Sequence, residues 1–253
     1  MPNIFHYQQF DILQDHAAMK VGTDSDLLGT LAAGGNRILD IGTGTGIIAL
    51  MMAQRFPEAQ LTAVEIDDNA VLDARVNFES SPFSERISLH HMSFQQFLQK
   101  MQEEGQEGTF DCVVCNPPYF DKSMEPENLG RMRARHTSSL PFSTLAQGAY
   151  AMLHDGGVFS VCIPPEVLSS FNAECHLAGF HLKETYQIKS LPHKAPKRYV
   201  VVHRKGQPDS TETQEAEPMV HTFCMRNADH SRSDWYMDLM KDFLVNPSPL
   251  KPI

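Results

Sequence analysis

Residues 110–120 read FDCVVCNPPYF. An asparagine, two prolines and a tyrosine follow directly on an apolar run with the length and composition of a buried β-strand. Proline has no N–H to give a sheet, so the strand ends at Asn116. Such a strand end presents an amide, a preset backbone carbonyl and an aromatic ring. An exocyclic amine is a poor nucleophile because its lone pair is delocalised. The Asn116 side-chain oxygen and the Pro117 carbonyl can accept its two N–H groups, which favours a pyramidal nitrogen and aims the lone pair. Orientation and preorganised electrostatics then replace a strong base. Pro118 removes local freedom, and Tyr119 offers a flat surface on which a flipped base stacks. The plainer alternative is that Asn-Pro marks a turn and nothing more.

A second constellation lies upstream in LDIGTGTGIIAL (39–50). Asp40 ends a strand, Gly42, Gly44 and Gly46 follow, and a helix begins. Glycines here permit a tight turn and close approach of backbone to a ligand. Glu65 ends the next strand, where a carboxylate can accept hydrogen bonds from both hydroxyls of a ribose. Together these residues outline a nucleoside-binding crevice at the carboxyl ends of parallel strands. Gly44, Gly46 and Ala49 also satisfy the looser G-x-G-x-x-A form, which leaves a nicotinamide dinucleotide open as ligand.

These residues need a scaffold, and the apolar pattern supplies one. RILDI (37–41), LTAVEI (61–66), ISLHHM (87–92), FDCVVC (110–115) and VFSVCIP (158–164) alternate with helical stretches. That alternation predicts a Rossmann-like α/β fold, a doubly wound, mostly parallel sheet of seven strands. The strand before Asn116 then lies beside the one that ends at Asp40. From residue 181, HLKETYQIKSL and RYVVVHRK read as an antiparallel hairpin at one sheet edge, and SDWYMDLMKDFL (233–244) as a short C-terminal helix. We expect one domain over 1–253: an N-terminal covering segment (1–36), a core (37–205), an acidic loop (206–218) and an appendage (219–253).

The net charge of −10 excludes capture of nucleic acid by the global field. A nucleic-acid substrate therefore requires local basic patches. Two clusters qualify: Arg131, Arg133, Arg135 and His136 after NPPY, and Lys194, Lys197, Arg198, His203, Arg204 and Lys205 in the hairpin. Cys112 and Cys115 sit three apart in a strand and point to opposite faces, as do the adjacent His90 and His91. We expect packing thiols and no metal site. No signal sequence or membrane span is evident, so the expected compartment is the cytoplasm.

The D-x-G-x-G-x-G stretch headed by Asp40 resembles motif I of S-adenosylmethionine-dependent methyltransferases. That resemblance implies S-adenosyl-L-methionine as cofactor, with Asp40 near its amine, Gly42 and Gly44 under it, Glu65 at the ribose, and Ser93 and Phe94 bordering the adenine. NPPY resembles the (N/D)PP(Y/F) motif of amino-group methyltransferases. The chain as a whole resembles the bacterial tRNA1(Val) adenine N6-methyltransferase family, from FHYQQFDILQDHAAMKVGTDSDLLG through KAPKRYVVVHRK. By that resemblance HAAMKVGTD (16–24) covers the cofactor and places Lys20, Thr23 and Asp24 near its methionine end. The implied activity is N6-methylation of the adenosine 3′ to the anticodon of valine tRNA, by a monomer. Arg133, Arg135, Lys197 and Arg198 are the expected RNA contacts. Ribosomal RNA or a protein glutamine as substrate, and a non-catalytic cofactor- and RNA-binding role, are the alternatives. Nothing functional carries onto 206–218.

Overall fold

A computed structural model describes residues 2–117, 140–206 and 217–245. The chain opens with a small antiparallel hairpin, β1 (Ile4–His6) and β2 (Asp11–Leu13), followed by α1 (Thr23–Leu31). Strand–helix units follow: β3 (Arg37–Ile41), α2 (Ile47–Arg55), β4 (Gln60–Glu65), α3 (Asp68–Glu79), β5 (Ile87–His91), α4 (Phe94–Glu103) and β6 (Phe110–Cys115). Then come α5 (Phe142–Met152), β7 (Leu153–Ile163), α6 (Pro165–Leu177), β8 (Phe180–Lys189), β9 (Pro196–Lys205), β10 (Met219–Cys224) and α7 (Asp234–Leu239).

One large sheet has the order β10-β8-β9-β7-β6-β3-β4-β5. The chain steps outward from β3 to β5, then returns to lay β6 on the other side of β3. Strand order thus reverses between β3 and β6, the position at which open α/β sheets bind ligands. Every pairing is parallel except those of β9 with β7 and β8.

The seven expected strands are present, and an eighth lies outside them. Met219–Cys224 pairs in parallel with β8, so the hairpin β8–β9 sits one strand in from the sheet edge. Only His221 and Phe223 of β10 turn toward neighbouring rings, while Met219 and Val220 stay exposed. Such a half-wetted edge strand leaves a weak apolar signature. The C-terminal helix is also shorter than its apolar spacing suggests. It stops at Leu239, and the buried Leu244 packs beyond it, bridged to Tyr7.

Neighbouring strand residues feed opposite faces. Ile38, Cys112 and Val200 pack with Leu28, Met51 and Phe78 of α1, α2 and α3. Leu39, Val113, Cys115 and Val201 pack with Phe97, Leu145 and Phe171 of α4, α5 and α6. Cys112 and Cys115 are therefore packing thiols on separate faces, and burial raises both thiol pKa values, that of Cys112 to about 12. His90 and His91 also diverge, one edge-on to Phe97 and the other 3.0 Å from Asp68. No helix among the described residues is long and apolar enough to cross a membrane.

His203, in β9, is 1% exposed, boxed by Phe171 and Phe180, and neither ring nitrogen has a hydrogen-bond partner. Burial lowers its pKa from 6.5 to about 4. Above pH 6.5 the ring is neutral folded or unfolded and pH has no effect through it. Between 6.5 and 4 the unfolded chain binds a proton that the fold refuses, so stability falls by about 3 kcal/mol across that window. Urea unfolding of His203→Leu will show that slope flattened, with stability at pH 7 unchanged or raised. An unaltered slope would place the proton uptake elsewhere.

Candidate active site

β3 delivers Asp40 and Ile41 to the carboxyl edge of the sheet, and β6 delivers Cys115. Ile41 pairs with Cys115, so Gly42 and Asn116 leave their strands side by side. This is the juxtaposition that the strand-order reversal creates. Asn116 is partly exposed at the mouth, and Pro117 behind it is buried. Pro118, Tyr119, Arg133 and Arg135, together with Arg131 and His136, lie outside the described residues.

The glycine loop has left-handed backbone at Gly42 (φ 70°), Gly44 (φ 57°) and Gly46 (φ 84°). A Cβ on Gly46 would stand 2.4 Å from the Phe78 ring, so that glycine serves packing. At Gly42 and Gly44 a Cβ would meet nothing within 4 Å. Those two glycines leave exposed or half-exposed backbone that a ligand can approach closely.

Asp40 is 1% exposed. Its Oδ2 accepts the Thr43 hydroxyl at 2.6 Å, while Oδ1 has no partner. Burial, with the nearby Glu65 carboxylate adding to it, raises the Asp40 pKa to about 7 despite the opposing pull of the Thr43 hydroxyl and, more weakly, of the Ala49 N–H. A buried carboxylate with one unmatched oxygen is suited to a cationic donor, which would supply both the missing hydrogen bond and the missing charge.

Glu65, at the end of β4, does more than the expected ribose contact requires. Its Oε2 accepts the Gly44 N–H at 2.8 Å, and its Oε1 accepts those of Ile66 and Asp67 at 2.8 and 2.9 Å. A carboxylate has about four acceptor sites. Three are used, one on the glycine loop and two on the turn after β4, which leaves one for a hydroxyl.

Ser93 and Phe94 follow β5 and open α4. The Ser93 hydroxyl accepts the Gln96 N–H, and the Gln96 side chain accepts the Ser93 N–H, a reciprocal cap. The Phe94 ring is buried in the core over Gly148. Both side chains are thus committed elsewhere, Ser93 to the helix cap and Phe94 to the core, which leaves the backbone of this turn as the part open to a ligand. The adjoining Met92 N–H donates to Glu65 O at 2.9 Å and holds the turn beside β4.

The N-terminal segment is anchored by residues that the motif reading passed over. Asp73 of α3, fully buried, accepts the His16 and Ala17 N–H groups and the His16 ring. Burial acts to raise its pKa, and these three hydrogen bonds outweigh it and lower the value. Asn77, one turn on, exchanges hydrogen bonds with Leu13 and donates to Thr45 O at 2.8 Å. One helix thus ties both the N-terminal segment and the glycine loop. The signal was an Asp and an Asn at i, i+4 spacing on an otherwise apolar helix face.

Lys20 and Thr23 are exposed on this segment, Thr23 at the first turn of α1. Asp24 and Arg198, expected at the cofactor and at the RNA, are brought onto each other: the Arg198 Nε lies 2.8 Å from both carboxylate oxygens. This half-buried pair fastens the start of α1 to the start of β9. Lys197 beside it points its charge to solvent. Among the described residues no group of three or more His, Cys, Asp or Glu side chains is placed to hold a metal ion.

Residues 16–139 match the family model described as the methyltransferase small domain. A tRNA1(Val) (adenine(37)-N6)-methyltransferase of Phocaeicola vulgatus is 40% identical over 249 residues, covering 97% of this chain and 100% of that protein. One of Trichodesmium erythraeum is 35% identical over 248 residues, covering 96% of this chain and 98% of its own length. Among solved structures, a predicted O-methyltransferase from Agrobacterium tumefaciens superposes with a TM-score of 0.66 at 22% identity, over 87% of this chain and 96% of that one. Pyrococcus horikoshii TYW2, solved in complex with MeSAdo, gives 0.56 at 13% identity, over 80% of this chain and 70% of that one. At these identities the likeness concerns the fold.

Proposed function

Because the chain belongs to the tRNA1(Val) (adenine(37)-N6)-methyltransferase family, we propose that it transfers a methyl group from S-adenosylmethionine to N6 of adenosine 37 in that tRNA, the nucleoside 3′ to the anticodon. The observation that carries the reading is the pairing of Ile41 with Cys115. It sets Asn116 beside the open glycine loop and the unmatched Asp40 oxygen.

Those features fit the cofactor. Asp40 Oδ1 accepts from a cationic amine, and the bare backbone at Gly42 and Gly44 admits close approach. When bound, S-adenosylmethionine supplies a methyl group on a cationic sulfur. Glu65 accepts one ribose hydroxyl at its remaining site, and the second only if the Gly44 N–H releases it. Lys20 and Thr23 face the methionine end, and the backbone at Ser93 and Phe94 borders the adenine.

Asn116 and Pro117 act on the other reactant. Their oxygens accept the two N–H groups of the adenine amine, which points its lone pair across toward Gly42. Pro118 keeps the Pro117 carbonyl in place, and Tyr119 stacks on the flipped base. Lys197 contacts phosphate at the rim, alongside Arg133 and Arg135. The chain works as one cytoplasmic methyltransferase domain over 1–253, whose N-terminal segment covers the cofactor.

The test is transfer of labelled methyl from S-adenosylmethionine to total tRNA, with nucleoside analysis of the product. Label is expected as N6-methyladenosine in a valine tRNA. Label confined to ribosomal RNA or to a protein glutamine would replace tRNA as the substrate.

A further inference from the structure

β7, β8 and β10 all run parallel to β3 and β6, with β9 alone reversed. The carboxyl end of β10 therefore reaches the same sheet edge as Asp40, Glu65 and Asn116. From β6 to β10 is four strand steps, about 19 Å at roughly 4.8 Å each. The segment after β10 thus extends the rim of the candidate active site sideways.

That segment is a built turn. Asn227 N–H donates to Ser231 O at 2.9 Å, and His230 N–H donates to Asn227 O at 3.0 Å. The Asn227 side chain donates to Ser231 Oγ and to Arg232 O. His230 completes the reversal in left-handed backbone, φ 67°. The turn closes with Arg226 directly opposite Arg232 in an antiparallel bridge.

Residues opposite each other in such a bridge project from the same face, and like charges placed so repel. Neither guanidinium has a carboxylate within 4 Å among the described residues. Asp229, in the same turn, accepts the Ser231 N–H and hydroxyl on its Oδ1 alone and makes no ion pair within 4 Å with either guanidinium. Arg232 lies 5.9 Å from the Tyr236 ring, with the buried Asp26 carboxylate near enough to feel its charge but outside 4 Å, and Arg226 is exposed with one N–H on His230 O. Two cationic residues held at opposite backbone positions, one exposed and one half-buried, offer an anion a two-sided site.

We propose that Arg226 and Arg232 form a phosphate clamp for the RNA backbone, gripping it four strands across the sheet from the target base, at least ~19 Å away. The clamp rests on the reading of the chain as an RNA methyltransferase. At that distance it holds a neighbouring stretch of nucleic acid, not adenosine 37. Lys194 on the β8–β9 turn and Lys197 at the start of β9 are exposed and lie between the clamp and the mouth.

The test uses the full chain, a valine tRNA transcript and a salt titration of binding. Arg226→Ala is expected to raise the Kd about tenfold at ~0.1 M salt and to flatten the slope of log K against log salt by about one. The double variant with Arg232→Ala should flatten it by about two. Cofactor affinity by calorimetry should not move in either, which separates loss of the clamp from loss of the fold. Arg226 is exposed, so the single variant still decides the matter if the double variant melts early. Wild-type slope and affinity in Arg226→Ala, with methylation of tRNA intact in the wild type, overturns the clamp and leaves the function standing. A wild-type protein that binds no RNA overturns both.

Discussion

Replacing Asn116 by alanine will lower kcat for methyl transfer by about a hundredfold to a thousandfold and leave cofactor affinity within about twofold of wild type. The magnitude is that of removing one preorganised hydrogen-bonding group aimed at the reacting centre. The amide does not touch the cofactor in the proposed arrangement, so the loss belongs in kcat. Asn116→Asp keeps an acceptor at the same place and should recover a substantial part of the rate. Single-turnover transfer at saturating cofactor, with calorimetry in parallel, separates the two quantities. A rate unchanged in Asn116→Ala would mean that the adenine amine is oriented by something else.

The second large effect is at Asp40. In Asp40→Asn, cofactor affinity should fall by a hundredfold or more, since the variant cannot offer a charge to a buried cation. The wild type should also show a pH signature. With its pKa near 7 in the free protein, Asp40 is partly protonated at neutral pH. A cationic ligand selects the ionised form, so affinity climbs as pH rises toward 7, by up to tenfold per unit, and levels off above it. Asp40→Asn should show no such climb.

The same residue links function to stability. Its folded pKa lies above the unfolded value of 3.8, so its contribution to stability is complete below about pH 4 and is lost as pH rises through 7. The gap, at about 1.4 kcal/mol per unit, amounts to roughly 4 kcal/mol at neutral pH. The asparagine variant should therefore melt higher than wild type in the absence of cofactor while binding cofactor far more weakly. A variant that melts lower would mean that the ionised carboxylate stabilises the fold.

The parts of the candidate site were legible before the fold because they are local. Asp40 and the glycines occupy one strand–turn–helix passage, and NPPY is four consecutive residues after a strand. Side-chain alternation in a strand has a period of two whatever the strand's neighbours, so the opposed faces of Cys112 and Cys115 followed from spacing alone. The order of β3, β4 and β6 followed from the rules of doubly wound sheets.

What lay beyond reach depends on contacts between distant segments. Asp24 and Arg198 are 174 positions apart, and each alone reads as a ligand for something else. Asp73 and Asn77 look like two polar residues on a helix until β2 and the glycine loop are laid against them. Glu65 had a ribose to hold by motif, while only the folded loop brings the Gly44 N–H to its carboxylate. β10 escaped notice because an edge strand is wet on one side, and Arg226 meets Arg232 only because a turn folds back on itself. Local periodicity and motif chemistry determine which groups the chain can offer. Only the packed sheet, by fixing strand order and direction, decides which of those groups neutralise each other and which are left facing a ligand.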